Sequence, residues 1–155
     1  MMIVSYNVEL DAFRHPQMVR ERTVAYGGSS VISSPEEAVN LLECCFHASM
    51  QAEEKMYLIA LDARKYVLGV FIAAHGQVAS CMISPREIYL RALLAGASSI
   101  IIAHNHPSGI AKPSAEDESF TARMMEAGKA IGITLEDSLI ISSGSFFSFH
   151  DDSRL

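Results

Sequence analysis

The chain has 155 residues, half of them hydrophobic and 19% charged, with a formal net charge of −6. That is room for one domain around one apolar core and excludes a second domain of ordinary size. The acidic balance and the lack of a long basic run argue weakly against non-specific binding to a phosphate backbone, and a local patch such as Arg14, Arg20 and Arg22 leaves DNA open.

Cys44, Cys45 and Cys81 are odd in number and show no C-x-x-C spacing, so zinc-ribbon, redox-motif and disulfide-framework readings fail. Free thiols suit a reducing compartment. No basic segment followed by an apolar stretch opens the chain, and no apolar run approaches the roughly 18–20 residues of a membrane span. The expectation is a soluble cytoplasmic protein without a membrane segment.

In chain order, residues 1–34 read as a strand near Met2–Val8 followed by a loosely packed arm with Gly27 and Gly28. The arm is free to move or to pack on a partner, such as a second copy in a homodimer. Residues 35–155 form the main domain. Ser34-Pro35-Glu36-Glu37 predicts a helix start, with Ser34 as cap, Pro35 at the first position and Glu37 closing a capping box. Ala38, Leu41, Leu42, Cys45 and Phe46 carry the helical period to about residue 52.

Strands are predicted over 54–61, 66–74 and 78–83, an antiparallel meander with turns at 62–65 and around His75-Gly76. Ser84-Pro85-Arg86-Glu87 repeats the capping logic and starts a helix to Leu94, ending near Gly96. Ser98–Ala103 is short, apolar and β-branched, as in a buried strand. After a loop with Pro107, Gly109 and Pro113, a helix runs from Ser114 to about Ile131, with Phe120, Met124, Ala127 and Ile131 on one face. Strands near Thr134–Ile141 and Phe146–Phe149 turn at Ser143-Gly144. The fold class is α+β, a mixed and mostly antiparallel sheet flanked by helices.

The segment that carries chemistry is His104-Asn105-His106-Pro107-Ser108-Gly109, then Pro113-Ser114-Ala115-Glu116-Asp117. Side chains two residues apart in extended chain project from one side, so His104 and His106 can converge on one metal ion. The Pro- and Gly-rich loop can fold the first helical turn, with Asp117, back toward them. Two imidazoles and a carboxylate make a three-ligand zinc site that leaves the fourth position to water, whose pKa zinc lowers to roughly 7. A hydrolase then needs a carboxylate to move the proton and a donor for the oxyanion; Ser114 is a candidate donor. Taken alone, Ser114-x-x-Asp117 is better explained as an N-cap with an acid in the first turn, and that role is compatible with catalysis.

The full spacing, His-x-His, seven residues, Ser, two residues, Asp, matches the JAMM (MPN+) metalloprotease motif. The wording HNHPSG, PSAED, SPREIYLRALLAGASSIIIA and AGKAIGITLEDSLII is similar to that of RadC-like proteins, over about residues 35 to 150. The resemblance implies a JAMM/MPN domain of cytidine-deaminase-like outline, zinc held by His104, His106 and Asp117, and assistance from Ser114. It also implies that the water-activating glutamate heads the strand ending in Leu-Asp. That is Glu54, with Glu53 one register step away and Glu87 a weaker alternative already explained by its capping position.

Two departures matter. RadC-like proteins of full length resemble a fusion with an N-terminal helix-hairpin-helix module, and this chain looks like the short form without it, which weakens the DNA inference. The family usually places a His after the late-strand Asp, where Ser138 follows Asp137 here. His15, His47, His75 and His150 lack partners at metal spacing and read as core or surface residues. Cys81 reads as packed in a strand, Cys44 and Cys45 as one helix position out and one in, and Met124 and Met125 as core filler. The expected function is a zinc-dependent peptidase or isopeptidase. The alternatives are a DNA repair-associated protein and a non-catalytic MPN scaffold.

Overall fold

The computed structural model describes residues 1–76 and 83–155. Its frame is a seven-stranded sheet of β1 (Met2–Leu10), β2 (Pro16–Ala25), β3 (Lys55–Leu61), β4 (Val67–His75), β5 (Ser99–Asn105), β6 (Thr134–Ser142) and β7 (Ser145–Ser148). Across the sheet the order is β2-β1-β4-β3-β5-β6-β7. The β1–β4 and β5–β6 pairs are parallel and the other four are antiparallel. The α+β class is therefore as expected, with a mixed and mostly antiparallel sheet.

The central strands explain the two-sided core. Along β3, Tyr57, Ile59 and Leu61 enter the layer with Leu41, Leu42 and Phe46 of α1 (Pro35–Phe46). The alternate residues Met56, Leu58 and Ala60 enter the layer with Ile88 of α2 (Pro85–Leu94) and Met124 of α3 (Ala115–Ile131). A period of two in a strand covered on both faces reads in sequence as one unbroken apolar run. Among the described residues no helix is long and apolar enough to cross a membrane.

Several local expectations change. The segment expected to be a loose arm contains β2, which pairs with β1 along nearly its whole length. Most of β2 is exposed, so it has no inward apolar alternation to reveal it. The hairpin turn is made by Asp11, whose Oδ1 accepts the N–H groups of Phe13 and His15 at 2.8 Å. Within β2, Arg22 donates to the Cys45 carbonyl and lies over the Phe46 ring, so it is engaged with α1.

The first helix stops at Phe46, before the expected 52, because His47 adopts a left-handed φ of 50°. Gln51 donates its amide to the Phe46 and His47 carbonyls, and Glu43 accepts from Ser49, so side chains hold the exit that no glycine announced. At the other end Ser34 does cap, but Glu37 binds the N–H and hydroxyl of Ser33, one residue earlier than a capping box requires. Ser84 makes no side-chain cap at all.

On α3 the buried residues are Asp117, Thr121, Met124 and Gly128, while Ile131 is 45% exposed. Of the expected apolar face, Met124 is in the core and Phe120 and Ala127 are half-buried against it, so only Ile131 falls outside, and the stripe is widened by the small residues Thr121 and Gly128. A Cβ at Gly128 would strike the Ile133 carbonyl and the Tyr89 hydroxyl, and that hydroxyl is fixed by donating to the Met124 carbonyl at 2.8 Å. The strand expected at 78–83, with Cys81, lies outside the described residues except for Ile83, which is buried and not in a strand.

Candidate metal centre

Strand β5 runs two residues past the expected Ala103, through His104 and Asn105. His106 continues the extended path by donating its N–H to the Ile141 carbonyl at 2.8 Å. His104 and His106 therefore do project from one side of the chain. Their Nε2 atoms lie 3.0 Å apart, on rings whose centroids are 4.9 Å apart.

The loop after them returns α3 to this point. Ser114 is its N-cap and Asp117 its third helical residue, in a complete capping box. The Ser114 Oγ accepts the Asp117 N–H at 3.1 Å, and Asp117 Oδ2 accepts both the N–H and the hydroxyl of Ser114 at 2.8 Å. So clamped, Asp117 places Oδ1 at 3.1 Å from His104 Nε2 and Oδ2 at 3.6 Å from His106 Nε2. Capping and positioning are one arrangement here.

Glu54 arrives from the other side. Antiparallel pairing of Met56 with His104 sets the end of β3 beside the end of β5. Glu54, just before β3, places Oε1 at 3.7 Å from His104 Nε2. Glu54, His104 and His106 offer ligand atoms within 4.8 Å of one another, a group that could hold a metal ion. Glu53 is exposed, as is Glu87 on the first turn of α2, and neither is in this group.

The electrostatics separate the two carboxylates. Burial opposes the charge on Asp117, but hydrogen bonding and charge from His104 and the two donors of Ser114 outweigh it and hold its pKa at about 2. Asp117 is thus a fixed anion at neutral pH. Glu54 Oε1 is buried with no hydrogen-bond partner among the described residues, which is costly for a carboxylate oxygen unless something else meets it.

The histidines are prepared as well. His106 Nδ1 lies 2.9 Å from the Ile110 carbonyl, which can only accept, so Nδ1 carries a proton and the neutral tautomer is the one with the lone pair on Nε2. A carbonyl on the second ring nitrogen is a common way to orient a metal-bound imidazole. The separations from His104 Nε2 to His106 Nε2 (3.0 Å) and to Asp117 Oδ1 (3.1 Å) lie near the edge of about 3.3 Å expected for a zinc tetrahedron, while His106 Nε2 is 3.6 Å from the other carboxylate oxygen, Oδ2. The donor set fits a metal of borderline softness.

Sequence reasoning missed Asn105, which is fully buried between the two histidines. Its Oδ1 accepts the Lys55 N–H at 2.8 Å, and its Nδ2 donates to the carbonyls of Glu53 and Gln51 at 3.0 and 3.3 Å. An asparagine flanked by two candidate ligands was the available signal. His15 and His150 are exposed, and their close acidic neighbours are Asp11 and Asp151. Ser138, which follows Asp137, is buried and accepts the Thr121 hydroxyl at 3.0 Å.

The RadC-like JAB domain family model matches residues 32–154. A UPF0758 protein of Clostridium acetobutylicum is 39% identical over 124 residues, 80% of this chain and 53% of that protein. One from Aquifex aeolicus is 37% identical over 131 residues, covering 83% of this chain and 55% of its own length. One from Thermotoga maritima is 33% identical over 120 residues, 77% of this chain and 54% of that protein. The chain spans about half the length of the curated relatives it matches. It belongs to the RadC-like JAB domain family.

Proposed function

We propose that this member of the RadC-like JAB family is a zinc-dependent hydrolase of peptide or isopeptide bonds. The observation that carries the reading is the convergence of His104, His106 and Asp117, with ligand atoms 3.0 to 3.6 Å apart, beside the buried Glu54 Oε1, which has no hydrogen-bond partner among the described residues.

His104 Nε2, His106 Nε2 and a carboxylate oxygen of Asp117 would hold the metal. Asp117 is preferred to Glu54 as third ligand because it lies closer to His104 and is clamped and held ionised by Ser114 and His104. A zinc ion there supplies a Lewis acid that acidifies water and polarises a carbonyl. Glu54 Oε1 is the proton carrier: it accepts a proton from the attacking water and returns it to the leaving amine. Ser114 orients Asp117 through its hydroxyl, and rotation of that hydroxyl makes the same proton available to a developing oxyanion.

Metal analysis of the full chain tests the reading, with His104→Ala and Glu54→Gln beside it. The expected result is about one zinc per chain in the wild type and in Glu54→Gln, and little in His104→Ala. On a panel of peptide and isopeptide substrates, Glu54→Gln is expected to lose about 100-fold or more in rate. A wild type that takes up no zinc when zinc is added, or a Glu54→Gln variant that hydrolyses at the wild-type rate, overturns it.

A further inference from the structure

Glu54 stands in a poorly fixed place. The chain from residue 51 to 54 is irregular, and β3 begins only at Lys55. The β3–β5 ladder reaches only as far as Met56 opposite His104. One position further out, where a strand would offer a backbone carbonyl, the side-chain amide of Asn105 takes over. It accepts the N–H that follows Glu54 and donates to the carbonyl that precedes it. The third tie, to the Gln51 carbonyl, anchors the start of the irregular segment.

From this bracket we infer that Asn105 is a positioning residue for Glu54: its carboxamide holds the backbone on both sides of Glu54, so that the carboxylate faces His104 instead of turning outward like Glu53. The inference rests on the reading of Glu54 as proton carrier, but the bracket itself is independent of any metal.

Three features make the assignment specific to an amide. Bridging an N–H and two carbonyls needs one acceptor and two donors on one planar group, which among side chains of this size asparagine alone provides. The site is fully buried, so water does not readily substitute for the amide. Strand alternation also puts Asn105 on the sheet face opposite His104 and His106, so it can grip the Glu54 segment without entering the metal centre.

The test uses the full chain with Asn105→Ala and Asn105→Asp, the second keeping the acceptor for Lys55 but losing both donors. Crystal structures give the position of Glu54, and cobalt(II) loaded in place of zinc gives a visible spectrum sensitive to the groups around the metal. The expected result is unchanged metal stoichiometry in both variants and a Glu54 carboxylate displaced from its present 3.7 Å from His104 Nε2. The Asn105→Ala cobalt spectrum should match that of Glu54→Ala and not the wild type, with Asn105→Asp between the two.

A role in stability alone would lower the melting temperature and leave both the carboxylate position and the spectrum as in the wild type; that result overturns the inference. If Asn105→Ala does not fold, Asn105→Asp carries the same two outcomes. If the wild type binds neither zinc nor cobalt, the hydrolase reading fails, while the crystallographic position of Glu54 still decides the role of Asn105.

Discussion

Asp117 and Asp137 are each 4% exposed, yet their carboxyls are driven in opposite directions. Asp117 sits at the end of the sheet where β5 finishes and is held at about 2. Asp137 lies toward the other end of β6, and burial pushes its pKa up. Its donors are the Ser148 hydroxyl at 2.6 Å and the N–H groups of Ser138 and His150 at 2.7 and 3.0 Å. These, and the charge of the largely exposed His150, only partly offset the desolvation. Similar burial therefore gives different chemistry. One carboxylate is kept charged by a close imidazole and a helix cap, as its proposed role as a metal ligand requires. The other ties β6 to the turn after β7, a structural task.

The largest expected effect is on metal content. Asp117→Ala should reduce bound zinc from about one per chain to near none, while Asp137→Ala leaves it unchanged. Equal loss in both variants, read by metal analysis, would erase the distinction between the two ends. In stability the weight is reversed. Asp137→Ala strands a buried hydroxyl and two N–H groups and should cost about 3 kcal/mol in urea denaturation, whereas Asp137→Asn, which keeps an acceptor oxygen, should cost less.

The pH dependence of the metal-free protein sharpens the contrast. Asp117 has a folded pKa below its ordinary 3.8, so its contribution, about 2 kcal/mol, is complete above that value and disappears as pH falls through about 2. Asp137 has a raised folded pKa, so its contribution is greatest below the unfolded value and declines as pH rises through the folded one. Denaturation midpoints followed from neutral pH to pH 2 should lose the acid-side fall in Asp117→Asn and the opposite slope in Asp137→Asn. The smallest effect belongs to Ser114→Ala. Loss of the cap should cost about 1 kcal/mol of stability, and loss of the hydroxyl tie to Asp117 should weaken zinc binding about 10-fold, measured by chelator competition.

How much was legible follows the range of each interaction. The capping of α3 by Ser114 and the same-side projection of His104 and His106 are short-range consequences of helix and strand geometry, and the structure has both. Strand β2 was missed because it is an exposed edge strand whose partner, not its own pattern, makes it a strand. The inward face of α3 was legible in Phe120, Met124 and Ala127, but Ile131 lies outside it and the buried Thr121 and Gly128, selected by close packing, carried no apolar signal. The early end of α1 was hidden because its left-handed exit is a histidine supported by side chains further along.

By itself, the sequence determined the donor types and their local spacing: two imidazoles at strand period, and a carboxylate three residues into a capped helix. Periodicity and capping are properties of a few adjacent residues, so they can be read without knowing the fold. Which glutamate faces the histidines was a tertiary decision. Spacing could not choose among the acids, and the family resemblance offered Glu54 with its neighbour left open. The antiparallel register of β3 on β5, extended by the Asn105 amide, turned Glu54 inward and left Glu53 outside. Register between strands far apart in the chain is set by the burial of both faces of the sheet, and no local pattern records it.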